Sequence, residues 1–153
     1  MQSTLKIKVK LLDDEAVAPV RAHPTDTGLD VTAIRYAKRV DSLTHMFGTG
    51  ISVKPPKGYY IDMAPRSSIT KRGIMIPNSF GVIDDTYRGE LMIPIKLDSP
   101  MTNFMDIVGQ PICQLILRKL YLPEVEIVES LDSTERGHGG FGHTDEKKNG
   151  TKN

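Results

Sequence analysis

Three short stretches gather residue types that can act on a charged substrate. "APRSSIT", residues 64–70, sets Arg66 beside Ser67 and Ser68 where a strand gives way to a turn. A planar guanidinium fork, two short hydroxyl donors and free backbone N–H groups form a corner that can hold phosphate. A hydroxyl-capped helical turn uses the same residues equally well. "PNSFGVIDDTYRGEL", residues 77–91, reads as a tight hairpin with Asp84, Asp85 and Thr86 at its tip and apolar arms. These are ordinary residues for a solvated turn. As a site, the stretch presents the backbone of Gly81, Val82 and Ile83 to a ligand, with Asp84 as a base and Tyr87 as a wall. "RGHGGFGHT", residues 136–144, offers successive glycine N–H groups that can nest a polyphosphate, Arg136 to neutralise it and Phe141 to stack on a flat ring. It also reads as a flexible tail, or as an RGG-like RNA-binding segment that lacks the usual repetition.

"TDTGLDVTA", residues 25–33, places Asp26 and Asp30 around Gly28, with Asp30 inside a strand-like run where a solvated charge is unexpected. It suits a structural ion pair, or a carboxylate that orients water around a phosphate-bound metal ion. His23 and His45 have no metal-ligand spacing with a cysteine or acid, and one cysteine excludes the usual zinc sets. No protein-held metal is expected. No Gly-Lys-Ser/Thr follows the glycine-rich stretch, which therefore is not a Walker-type loop.

The elements that must position these groups read as short strands. Leu5, Ile7, Val9 and Leu11 alternate with Lys6, Lys8 and Lys10, the period of a strand with one buried face. "GLDVTA", "ISVK", "YYIDM", "GIMI", "FGVI", "ELMIPIKL", "ICQLILRKL" and "VEIVE" follow, punctuated by Pro, Gly, Asn and Asp. One helical turn is expected near Ser67 or Ser68, hydroxyl-capped, and residues 35–48 read as an irregular connection. Many short strands in 153 residues imply one all-β domain, a sandwich or jelly-roll-like barrel. The expected division is 1–135 for the β domain and 136–153 for the glycine-rich arm with its polar tail. A net charge of +1 gives no bulk attraction to nucleic acid or anionic membrane. Cys113, inside an apolar run, reads as a buried free thiol in a reducing compartment, and the N-terminal alternation is unlike a signal peptide. The expectation is an intracellular, cytoplasmic protein.

In order, these stretches resemble the five motifs of the homotrimeric dUTP nucleotidohydrolases, over residues 21–144. "TGLDVTA" matches through Gly28 and Asp30, "APRSSI" through Arg66 and Ser67, and "NSFGVIDDTYRGEL" through Asn78, Gly81, Asp84, Tyr87, Arg88 and Gly89. "GQPICQLIL" matches through Gly109 and Gln114, and "RGHGGFGHT" through Arg136, Gly137, Gly139, Gly140, Phe141, Gly142 and Thr144. Ser68, the Gln110-Pro111 pair and His143 depart from the usual motifs. The resemblance implies a jelly-roll-like distorted barrel, assembled as a threefold ring with active sites at subunit interfaces. It implies that Asn78 and the 81–83 backbone read uracil, and that Tyr87 packs under deoxyribose where a 2′-hydroxyl would clash. Arg66, Ser67, Gln114 and, by position, Ser68 would meet the phosphates, while Arg136, Gly139, Gly140, Gly142 and Thr144 close the arm and Phe141 covers the base. Asp84 would activate water for attack on the α-phosphorus, with Mg²⁺ on the phosphates and Asp30 orienting its waters. The implied activity is dUTP hydrolysis to dUMP and pyrophosphate, which limits uracil in DNA and supplies dUMP.

Two alternatives remain beside it. The dCTP deaminase branch shares the fold and an Arg-Ser-Ser corner, but expects a catalytic glutamate a few residues beyond the hairpin glycine. Here Glu90 comes too early and "ELMIPIKL" offers none later. A non-catalytic regulatory binding protein would not require Asp84, Tyr87 and Arg136 together.

Overall fold

The computed structural model describes residues 5–140. Among the described residues all strand pairing is antiparallel, as the all-β reading expects. Strands β1 (Lys8–Leu11), β2 (Leu29–Ala33), β3 (Arg35–Arg39), β4 (Thr44–Gly48), β5 (Ile51–Lys54), β6 (Tyr59–Pro65), β7 (Ile74–Met75), β8 (Gly81–Ile83), β9 (Met92–Leu97) and β10 (Gln110–Lys119) form three sheets. Their orders are β2-β10-β6-β8, β3-β4-β9-β7 and the ribbon β1-β5. Alternation decides what lies between them: Val31 and Ala33, Ile61 and Met63, Ile93, Ile95 and Leu97 turn inward onto Phe47, Ile51 and Leu115. Pro94 is tolerated in β9 because β7 pairs only with Leu97 and Lys96, so β4 alone flanks the proline.

Four local expectations need correction. Residues 35–48 are not an irregular connection but the paired strands β3 and β4, joined by a turn in which the Asp41 carboxylate accepts from the N–H groups of Leu43 and Thr44, both at 2.8 Å. Residues 81–91 are not a paired hairpin, because β8 joins β6 while the chain beyond the turn runs into β9, which joins β4. The turn is real; its arms belong to different sheets. β1 forms, yet all four of its residues are exposed, since its one strand neighbour is β5. The 3₁₀ turn Ser67–Lys71 starts where expected, without a side-chain cap.

The chain divides after Tyr121 into two compact units. In the second unit "VEIVE" is not a strand, and Val125 and Ile127 are 90% and 95% exposed. Period-two alternation needs a neighbouring strand before it becomes a sheet. Within the same unit, Arg136 Nε donates to the Gly139 carbonyl at 2.9 Å and the Gly139 N–H donates back to the Arg136 carbonyl at 3.1 Å. Phe141, Gly142 and Thr144 lie outside the described residues.

Candidate active site

Two separate pockets in the first unit hold the candidate residues. One, of about 270 Å³, is lined by Asp26, Thr27, Gly28, Asp30, Arg66, Ser67 and Gln114 together with Ala22. Its residues converge because β10 pairs with β2 and β6 at once, bringing Gln114 opposite both Asp30 and Ala64. Arg66 leaves the end of β6 and is held from two sides: its Nε meets Asp30 Oδ1 at 3.0 Å, and its Nη1 donates to the Pro111 carbonyl at 3.2 Å. Asp30 thus has the partner that a charge inside a strand requires. Pro111 sits at a register shift in β10, where its missing N–H does not break a regular ladder. Gly28 is obligatory because Gln114 lies across it: a Cβ there would stand 2.9 Å from the Gln114 Cβ. Gln114 itself donates from Nε2 to the Pro65 carbonyl at 3.2 Å. The result is a guanidinium, an amide and a hydroxyl around one opening, a donor set suited to phosphate. Ser68 is exposed in the adjoining turn and is not among the lining residues.

The second pocket, of about 290 Å³, is lined by Asn78, Gly81, Val82, Ile83, Asp84 and Tyr87, closed by Met63, Glu90, Leu91 and Met92. Before it, Ser79 adopts φ 62°, a left-handed conformation that turns the chain after Asn78. A Cβ on Gly81 would lie between Met63 and the Asn78 amide, at 3.7 to 3.9 Å. That is ordinary contact, so nothing inside the chain demands glycine there. Asp84 is exposed at the rim and its carbonyl accepts the Tyr87 N–H at 3.1 Å.

The turn after Asp84 is fastened to the 49–52 segment by three side-chain hydrogen bonds. Ser52 Oγ donates to the Arg88 carbonyl at 2.7 Å, the Gly50 N–H donates to Glu90 Oε1 at 2.8 Å, and Thr49 Oγ1 donates to the Leu91 carbonyl at 2.7 Å. Tyr87 lies over Gly89, and its hydroxyl donates to the Glu90 carbonyl at 2.9 Å. The Arg35 guanidinium meets Glu90 at 2.6 Å and holds that carboxyl below its usual range, more strongly than burial raises it. Sequence reasoning missed Arg35 entirely, since it fell in the stretch read as irregular. The signal was its place one turnless residue beyond the "LDVTAI" run.

The structure therefore brings Asp30, Arg66, Ser67 and Gln114 together, and Asn78, Gly81, Val82, Ile83, Asp84 and Tyr87 together. The two groups share no lining residue. Among the described residues, no cluster of three His, Cys, Asp or Glu side chains is placed to hold a metal.

Comparison with known proteins gives the chain a family. The dUTPase family model matches residues 14–145. The deoxyuridine 5′-triphosphate nucleotidohydrolase of Rhodococcus erythropolis is 38% identical over 143 residues, covering 93% of this chain and 87% of the relative. That of Leptospira interrogans is 39% identical over 144 residues, covering 92% and 99%. The Staphylococcus bacteriophage 80alpha dUTPase, solved with dUpNHpp, superposes with a TM-score of 0.75 at 28% identity, covering 90% of this chain and 97% of the phage protein. The phage phi11 dUTPase, in a variant described for its coordination of a structural Mg(II) ion, superposes with a TM-score of 0.69 at 25% identity, covering 84% and 99%. With a family model over residues 14–145 and relatives 38–39% identical over most of their length, the chain belongs to the dUTPase family.

Proposed function

We propose that the protein hydrolyses dUTP to dUMP and pyrophosphate, limiting uracil in DNA and supplying dUMP. The observation that carries this reading is the second pocket: an acid, an amide, an aromatic wall and a glycine that the chain's own packing does not require. Gly81 leaves room for a base to approach the strand backbone, and Asn78 supplies an amide for its edge. Tyr87, held flat by its hydroxyl bond, takes the sugar. Asp84 accepts a proton from water as the water oxygen attacks the α-phosphorus in line, and the bond to the bridging oxygen breaks to release pyrophosphate. Arg66, Ser67 and Gln114 hold the phosphates, with Ser68 beside them; Arg136 and the glycine arm, including Gly139, Gly140, Phe141, Gly142 and Thr144, close over the nucleotide.

Since the two pockets each hold half of the required groups, we infer a homotrimer in which neighbouring copies complete each site. The division into a 1–135 domain and a 136–153 arm belongs to the same proposal and rests on the family resemblance. Mg²⁺ fits this donor set only as an ion carried by the substrate: Asp30 is already paired with Arg66, which leaves it able to orient metal-bound water but not to build a cage. When bound, the ion neutralises charge on the departing pyrophosphate. We place the protein in the cytoplasm, where the free buried thiol of Cys113 suits a reducing environment.

The test is incubation with Mg²⁺ and, separately, dUTP, dCTP, dTTP and UTP, following pyrophosphate and ammonia. Pyrophosphate from dUTP alone, lost by about 10²–10⁴-fold in Asp84→Asn, is the expected result. Ammonia from dCTP would instead establish deamination, and silence on all four would favour a non-catalytic binding protein.

A further inference from the structure

Glu90 is an odd residue for the wall of a pocket that receives a polyanion. An uncompensated carboxylate there would repel a nucleoside triphosphate. Its charge is matched from behind by Arg35, which lines neither pocket. Arg35 Nη2 donates to Glu90 Oε2 at 2.6 Å, while Glu90 Oε1 takes the Gly50 N–H at 2.8 Å. The guanidinium reaches this position by passing over Gly48, where a Cβ would lie 2.8 Å from Glu90 Oε1. Its Nη1 ends buried with no hydrogen-bond partner among the described residues. A buried unpaired donor is a cost that simple surface pairing does not incur. What the arrangement secures is the backbone at Glu90, whose carbonyl is the acceptor for the Tyr87 hydroxyl.

We propose that Arg35 and Glu90 are positioning residues that lock the Tyr87 ring as the sugar-facing wall and thereby set discrimination between deoxyribo- and ribonucleoside triphosphates. The inference rests on the dUTP-hydrolysing reading above. Releasing the lock lets the ring swing away from the 2′ position. A 2′-hydroxyl then meets less steric opposition, while Asp84 and the phosphate corner are unaltered. The consequence falls on substrate choice more than on turnover.

The experiment compares kcat and KM for dUTP and UTP in wild type, Arg35→Met, Glu90→Gln, Tyr87→Phe and the Arg35→Met/Tyr87→Phe double variant, with Tm for each. Glu90→Gln keeps shape and an acceptor for the Gly50 N–H, so it serves if Arg35→Met folds poorly. Expected is a fall of about tenfold in the dUTP:UTP ratio of kcat/KM in Arg35→Met and Glu90→Gln, with kcat on dUTP reduced by less than about threefold. Tyr87→Phe reproduces most of that fall, and the double variant adds little to it. A ratio unchanged within about twofold in both charge variants overturns the proposal, whatever happens to Tm. So does an Arg35→Met effect of equal size in the Tyr87→Phe background. Wild-type protein that leaves dUTP intact overturns the underlying reading, and this one with it.

Discussion

Gly81→Ala separates what the chain needs in order to fold from what a ligand needs in order to bind. The Cβ added at this position meets Met63 Cε at 3.7 Å, Met63 Cβ at 3.8 Å and Asn78 Nδ2 at 3.9 Å, which is van der Waals contact without overlap. The backbone there is not left-handed, so alanine carries no conformational penalty. Replacing glycine at such a site restricts the unfolded chain and stabilises the protein by about 0.4–1 kcal/mol, or roughly 1–4 °C in Tm for a chain of this size. The same methyl projects between two residues that line the pocket. If the base of dUTP packs against that backbone, an added methyl costs about 1–3 kcal/mol of binding, so KM rises by about five- to 150-fold. Gly28→Ala is the control with the opposite structural cause. There the methyl falls on Gln114, 2.9 Å from its Cβ, so about 1–3 kcal/mol of stability is lost as Gln114 is displaced. Thermal melts and steady-state pyrophosphate release on the two variants decide the matter. A fall in Tm for Gly81→Ala, or an unchanged KM for dUTP, would refute the claim that a ligand and not the core selects glycine there.

Asp41 is held below the ordinary carboxylate range, first by the backbone N–H of Leu43 and then by Thr44. A depressed folded pKa adds stability above the unfolded value of about 3.9 and loses it as pH falls through the folded value, so Asp41→Ala should lower Tm at pH 7 by a margin that shrinks as pH is taken below about 3.9. Burial pushes the Cys113 thiol from 9.0 up to about 12, leaving roughly a thousandth of the ordinary thiolate fraction at pH 8. Native protein should resist a thiol reagent such as DTNB, and one thiol should appear in denaturant. Deletion after Glu135 should leave the thermal transition near that of wild type while abolishing dUTP turnover. Retained turnover would remove the arm from the mechanism.

Alternation and punctuation were enough to locate most strands, because a strand that buries one face must repeat every second residue. β2, β5, β6, β9 and β10 are legible in this way, as is the 3₁₀ turn at Ser67, and the ordered motifs identify the family before any coordinates are known. β3 and β4 were not legible: Arg35, Lys38, Arg39 and His45 interrupt the apolar signal, although Phe47, two residues beyond His45, is fully buried. No local pattern states which strand pairs with which, so the arms of the Asp84 turn looked like one hairpin although they enter different sheets. Residue types nominated Asp30, Arg66, Asp84 and Tyr87, since phosphate binding and water activation each call for particular side chains, while Asn78 and Gln114 were named only through the family resemblance. That Asp30 is the partner of Arg66, that Gln114 forbids a side chain at Gly28, and that Arg35 stands behind Glu90 depend on contacts between residues far apart in the chain. Such contacts follow from sheet order and register, which arise from burying the whole set of strands together and not from any one segment.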